Sequence, residues 1–240
     1  MRAASVTIPS LPKVNAADIK PPDTKGVFVK LFIAAFSLLL AGVSVHAQSQ
    51  TPAPQTQIVA EDENALDELN PFDPNIEQQL EEMDRVYEQE TGLSPFVENL
   101  LQPFGQGCYR SSCTVWVQVV RSQQKLYLHL NGQHSATWSV STGAPGHGTP
   151  NFDTHPNGRI YDRYSSTKYP GGDYKGLGNM PYAVFISGGF AIHGTAESNW
   201  KKLGTRASHG CIRVHPDNAY YFNRLVRQHG IYNVWITVQE

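Results

Sequence analysis

Cysteine is scarce in this sequence, charge is modest, and no apolar stretch is long. Three cysteines occur among 240 residues, and 17% of positions are charged. The apolar run from Leu31 to Val45 (LFIAAFSLLLAGVSV) is fifteen residues long, short of the roughly 20 that a helix needs to cross a hydrocarbon core. A polytopic membrane protein is therefore excluded. The remaining composition, 40% hydrophobic with 20 Gly and 16 Pro, describes a globular, turn-rich chain and not a disordered or collagenous one. A net charge of -2 excludes little until it is divided. Residues 1–47 carry five Lys/Arg against two Asp/Glu, residues 48–107 one against thirteen, and residues 108–240 thirteen against six. The chain is built of parts with different jobs, and no nucleic-acid partner follows from its overall charge.

The fifteen-residue run follows Lys25 and Lys30 and ends in Val45-His46-Ala47 before a polar, Pro-containing stretch. This is the pattern of a secretory signal. Residues 1–47 are read as signal peptide, with the mature chain starting at Gln48, exported to periplasm or cell wall and without a membrane span after cleavage. The leader ahead of the run is long, so translation from Val27 or Val29 is the expectation. In an oxidising compartment Cys108 and Cys113, five apart, can form a disulfide, leaving Cys211 as a thiol; two thiols or a zinc pair are the alternatives.

Residues 48–60 read as a flexible linker. Residues 61–107 form an acidic helical segment. Asn75 is placed to cap a helix whose apolar stripe is Ile76, Leu80, Met83 and Val86 or Tyr87, and Gly92 stops it. A second helical turn is expected from Ser94-Pro95 to Leu101. Such helices cannot bury a core alone, so they are expected as a collar on the next domain, with a regulatory or partner-binding role for the acidic face as the alternative. From Thr114 the period changes to that of strands. TVWVQVV, KLYLHL and HSATWSVSTG read as a meander turning at Asn131-Gly132. A loop-dominated region runs from Gly143 to Asn179, interrupted at Arg159–Tyr161, and its aromatic stretch 161–178 is read as an exposed lid or a solvated loop. Strands at 182–187 and 190–193, a helix opening at Pro216 and closed by Gly230, and a final strand YNVWITV complete about seven strands. The fold class is β-dominated mixed α/β.

A lone exported thiol is vulnerable unless buried or used. Cys211 follows His209 and Gly210, and His193 lies upstream at a strand end. In the chemical reading His193 takes the thiol proton, Cys211 attacks a carbonyl, and backbone N–H groups near Gly210 hold the oxyanion. In the plain reading Cys211 is a small buried hydrophobe. His147, His155 and His215 lack a metal-binding spacing, so no metal is expected.

The string AIHGTAESNWKKLGTRASHGCIRV, with fourteen residues between His193 and Ser208, resembles the signature of the L,D-transpeptidase (YkuD) family, in its SHGCIR branch. The likeness extends through KLYLHLNG, WSVSTG, Gly148-Thr149-Pro150 and Met180-Pro181-Tyr182, over roughly residues 114–240. It implies a β-sandwich catalytic domain, placed here at 108–240, that needs no cofactor and acts on peptidoglycan stem peptides. The resemblance makes Cys211 the nucleophile that displaces D-Ala from a tetrapeptide, His193 the proton carrier oriented by the Gly194 carbonyl, Ser208 and His209 shapers of the site, and Arg213 a buttress or carboxylate partner. Two departures stand out. Arg213 occupies the place where many members have Asn, and Asn151-Phe152-Asp153 replaces the usual continuation after Thr149-Pro150, so a reshaped loop over the cleft is expected. An L,D-carboxypeptidase using the same thioester and a non-catalytic wall-binding module are the competing functions. A papain-like peptidase is disfavoured, since there the Cys precedes the His.

Overall fold

Alternation of apolar and polar residues builds the first sheet. Strand β1 (Val115–Val120) buries Val115, Val117 and Val119, and the antiparallel β2 (Lys125–Leu130) buries Leu126 and Leu128. Asn131 and Gly132 both take positive φ, 49° and 75°, the requirement of a two-residue hairpin turn, and lead into β3 (Gln133–Ser139). The last strand, β8 (Val234–Gln239), pairs parallel with β1, and a three-residue edge strand, β4 (Phe152–Thr154), pairs antiparallel with β8. The sheet order is β3-β2-β1-β8-β4. These coordinates come from a computed structural model that describes residues 69–96, 107–164 and 172–240. The expected signal peptide, the linker, residues 61–68 and most of the second helical turn lie outside the described residues.

A second, three-stranded sheet runs β5-β6-β7, formed by Val184–Ser187, Phe190–Gly194 and Ile212–Val214. β5 and β6 are antiparallel across the Gly188-Gly189 turn, whereas β6 and β7 are parallel. Between the sheets lies the main core, which also takes Ala219, Phe222, Leu225 and Val226 from helix α2 (Pro216–His229). Burying one such large side chain contributes about 1.5–3 kcal/mol. Helix α2 starts as its sequence suggests, with Pro216 in the first turn and the His215 ring accepting the Asp217 N–H. His215 is thus an N-cap.

Helix α1 (Ile76–Thr91) ends at Gly92, which adopts the left-handed conformation (φ 68°) and donates to the Glu88 carbonyl. Its start differs from expectation. Asn75 occupies the cap position without a side-chain cap bond, and the Asp73 carboxylate instead accepts from the Asn75 N–H and from Gln79 Nε2. The stripe Leu80, Met83 and Tyr87 packs on the outer face of the second sheet, in a second cluster with Leu69, Tyr161, Met180, Phe185, Ala191 and Cys211. The helix is anchored by Asp84, whose carboxylate accepts Arg159 Nε and Nη2 at 2.9 and 2.8 Å and the Tyr161 hydroxyl, and by Glu90, which pairs with Arg163. Two expectations fail at the described residues, the rest of each segment lying outside them. Phe96 starts no helical turn, because it bridges Arg159 in extended conformation while Ile160 N–H donates to the Pro95 carbonyl. Tyr161, Tyr164 and Tyr174 are buried, not exposed on a lid, because the α1 stripe and neighbouring loops cover them. Among the described residues no helix is long and apolar enough to cross a membrane.

Candidate active site

The parallel β6–β7 pair is what brings the chemistry together. Its register sets His193 beside Arg213, with Ile192 beside Ile212. Since side chains alternate between faces, Ile192 and Ile212 enter the inter-sheet core, while His193, Arg213 and Cys211, two residues before Arg213, belong to the opposite face. Ideal strand spacing and rise, continued one residue before β7, would put the Cα atoms of His193 and Cys211 about 8 Å apart.

The turn carrying Cys211 is held from several directions. Ser208 Oγ donates to the Cys211 carbonyl at 2.6 Å and accepts the Gly210 N–H at 3.1 Å. Gly210 has φ 125°, a conformation that L side chains rarely adopt. Its carbonyl accepts the Thr149 hydroxyl at 2.7 Å, and Thr149 Oγ1 in turn accepts the Gly143 N–H at 2.9 Å. The Ser141–Ala144 stretch runs alongside the turn, with reciprocal backbone bonds between Ser141 and Arg213 and further ones from Ser208 to Thr142 and from Ala144 to Ser208. Arg213 is buried and donates from Nη1 to the Ala207 carbonyl at 3.0 Å, which makes it a brace of the loop. Burial lowers its pKa to about 10.

His193 is fully buried, and its Nδ1 lies 2.7 Å from the Gly194 carbonyl. A carbonyl only accepts, so Nδ1 carries the proton and Nε2 is left as the basic atom. Burial, partly offset by the Gly194 bond, pushes its pKa down to about 4. The ring is therefore neutral at physiological pH. Cys211 is 4% exposed and is not disulfide-bonded, and its thiol donates to the Gly189 carbonyl at 3.4 Å. His209 meets His147 edge to face at 4.7 Å between centroids.

Other residues singled out in the sequence stand away from this site. Cys108 and Cys113 form a disulfide. His155 binds the Val234 carbonyl and packs on Trp235. Thr149 joins the site although its only sequence signal was membership of the Gly-Thr-Pro string. Gly189 and Phe190 had no signal as site residues. The segment after Pro150 becomes β4, with Phe152 packed on Phe190 at 5.4 Å.

A model of the L,D-transpeptidase catalytic domain (YkuD) matches residues 114–234, half of the chain. Among solved structures, an L,D-transpeptidase from Mycobacterium smegmatis is 22% identical with a TM-score of 0.44, over 53% of this chain and 59% of that one. An L,D-transpeptidase from Mycobacterium tuberculosis H37Rv gives 23% and 0.40, over 53% and 58%. The L,D-transpeptidase (Yku) from Stackebrandtia nassauensis gives 17% and 0.40, over 65% and 76%. This chain thus spans less than two thirds of the two mycobacterial chains. No curated protein matches it.

Proposed function

The chain belongs to the YkuD family of L,D-transpeptidase catalytic domains, and from that premise we propose that it is an exported peptidoglycan transpeptidase working through a Cys211 thioester. The observation that supports this reading is the β6–β7 register, which pairs a neutral His193 with Arg213, two residues after Cys211. In the first half-reaction the Cys211 proton passes to His193 Nε2 as sulfur bonds to the carbonyl carbon preceding a terminal D-Ala. Backbone N–H groups of the His209–Cys211 turn receive the oxyanion; that of Gly210 is engaged by Ser208 Oγ in the resting arrangement. The C–N bond then breaks, and D-Ala leaves with the proton held by His193. In the second half an acceptor amine gives its proton to His193, attacks the thioester and restores the thiol. Ser208, Thr149 and Arg213 hold the turn in place.

Water in the amine's place would give an L,D-carboxypeptidase. Incubation with purified sacculi, followed by mass spectrometry of the muropeptides, separates the readings. New 3-3 dimers, absent with Cys211→Ala, are expected. Tripeptides without dimers would replace transfer by hydrolysis, and binding without turnover would leave only a wall-binding module.

A further inference from the structure

Cys211 must meet a substrate carbonyl at about 3–3.5 Å, yet only 4% of it is exposed. Part of what surrounds it comes from outside the family-matched segment. Leu69 and the α1 stripe share its apolar cluster, and the chain between them lies on the thiol's immediate neighbours. A Cβ built on Gly189, the residue whose carbonyl accepts the thiol, would stand 2.7 Å from Ile76 Cδ1 and 3.0 Å from Pro71 Cα. One built on Gly210 would stand 3.1 Å from the Phe72 ring and 3.4 Å from Pro71 Cγ. The Phe72 ring also packs edge to face on Phe190 at 5.3 Å and lies 6.4 Å from His147. Bare backbone at Gly189 and Gly210 is what lets the segment come so close.

The two ends of this cover are held differently. Asp84 and Glu90, in the middle and last turns of α1, make the ionic anchors to Arg159 and Arg163. The end over the thiol meets the domain through the apolar side chains of Pro71, Phe72 and Ile76, and Phe72 is still 48% exposed. Lifting this end breaks the apolar contacts of Leu69, Pro71 and Ile76 but leaves the Asp84 and Glu90 ion pairs made, so the end can open locally while the helix stays docked.

We propose that Leu69–Ile76 is an autoinhibitory strap, lying over Cys211 in the resting enzyme and lifting to admit a stem peptide. The inference rests on Cys211 being the nucleophile, and it also gives the thiol protection from oxidation in the envelope. With Cys108 and Cys113 bridged, alkylation of the native full chain by iodoacetamide, mapped by mass spectrometry, reports on Cys211 alone. The parent is expected to react slowly, and Phe72→Ala and Asp84→Ala, which loosen opposite ends of the cover, each at least about tenfold faster. Melting curves identify a variant that has merely unfolded, and Phe72→Ala removes only a half-exposed ring. A parent that reacts as fast as the denatured chain overturns the strap, as does a protected parent whose rate neither substitution changes beyond about twofold. The same proteins given sacculi separate the two claims. Faster alkylation with no turnover by any variant supports the strap and defeats the transpeptidase reading. Equal turnover by parent and both variants supports that reading and overturns the strap.

Discussion

Replacing Thr149 with valine removes one hydroxyl and disconnects two buried backbone groups. That hydroxyl donates to the Gly210 carbonyl and accepts the Gly143 N–H, and Thr149 itself is 1% exposed. Valine matches the shape, so the loss is of hydrogen bonding and not of packing. Leaving a buried donor or acceptor unsatisfied costs about 1–3 kcal/mol each, so the substitution is expected to cost about 2–6 kcal/mol. For a domain of this size that lowers the melting temperature by roughly 4–20 °C. The functional loss should exceed the share of unfolded protein, because the Gly210 carbonyl fixes the tilt of the turn that presents Cys211. Thermal melts alongside iodoacetamide labelling and D-Ala release from muropeptides measure both effects. Thr149→Ser keeps the hydroxyl and should fall between valine and parent. A valine variant that melts within about 1 °C of the parent with unchanged release would refute the claim that this hydroxyl holds the turn.

Three further outcomes follow. His193 has a folded pKa of about 4 against an ordinary 6.5, so below pH 6.5 the unfolded chain binds a proton that the folded one refuses. The stability conferred by burying the neutral ring is present above pH 6.5 and lost as pH falls towards 4, about 3 kcal/mol in all; urea titrations at pH 7 and pH 4 should show a drop that His193→Gln lessens. Asp153 accepts from Arg110, Trp235, Thr237 and Tyr109, and although its burial works the other way these donors lower its pKa to about 2. Its stabilising effect is present above pH 3.8 and lost as pH falls towards 2, so Asp153→Asn should flatten the acid limb of an unfolding curve there. Cys108→Ser opens a short disulfide loop, whose closure is worth about 2 kcal/mol in a chain-entropy account; melting should fall while D-Ala release by the folded fraction is unchanged.

Elements whose signals are local could be read from the chain alone. The meander and its Asn131-Gly132 turn, α2 with Pro216 and Gly230, and the Gly92 stop of α1 depend on near neighbours. Features that depend on distant partners could not. β4 is three residues in a Gly- and Pro-rich region and exists because β8 offers it an edge. Phe96 left the expected helical turn for a bridge to Arg159. Within the site, the His193, Ser208 and Cys211 string stood out as a motif, while the Thr149 bond to Gly210 spans 61 positions and left no periodic trace. Asn75 had the right type for a cap, yet Asp73 two residues earlier supplied the acceptor. The cover over Cys211 was also unreadable, since nothing in Asn70-Pro71-Phe72 names the glycines it meets.

The central claim is that Cys211 performs acyl transfer on a tetrapeptide stem with His193 as its base. The most direct measurement is D-Ala release from purified tetrapeptide muropeptides by the parent and by Phe72→Ala, each with and without Cys211→Ala, at matched melting temperatures. Release is expected with Cys211 present, fastest with Phe72→Ala, and absent from both Cys211→Ala proteins. Equal release with and without the Cys211 thiol would contradict the account.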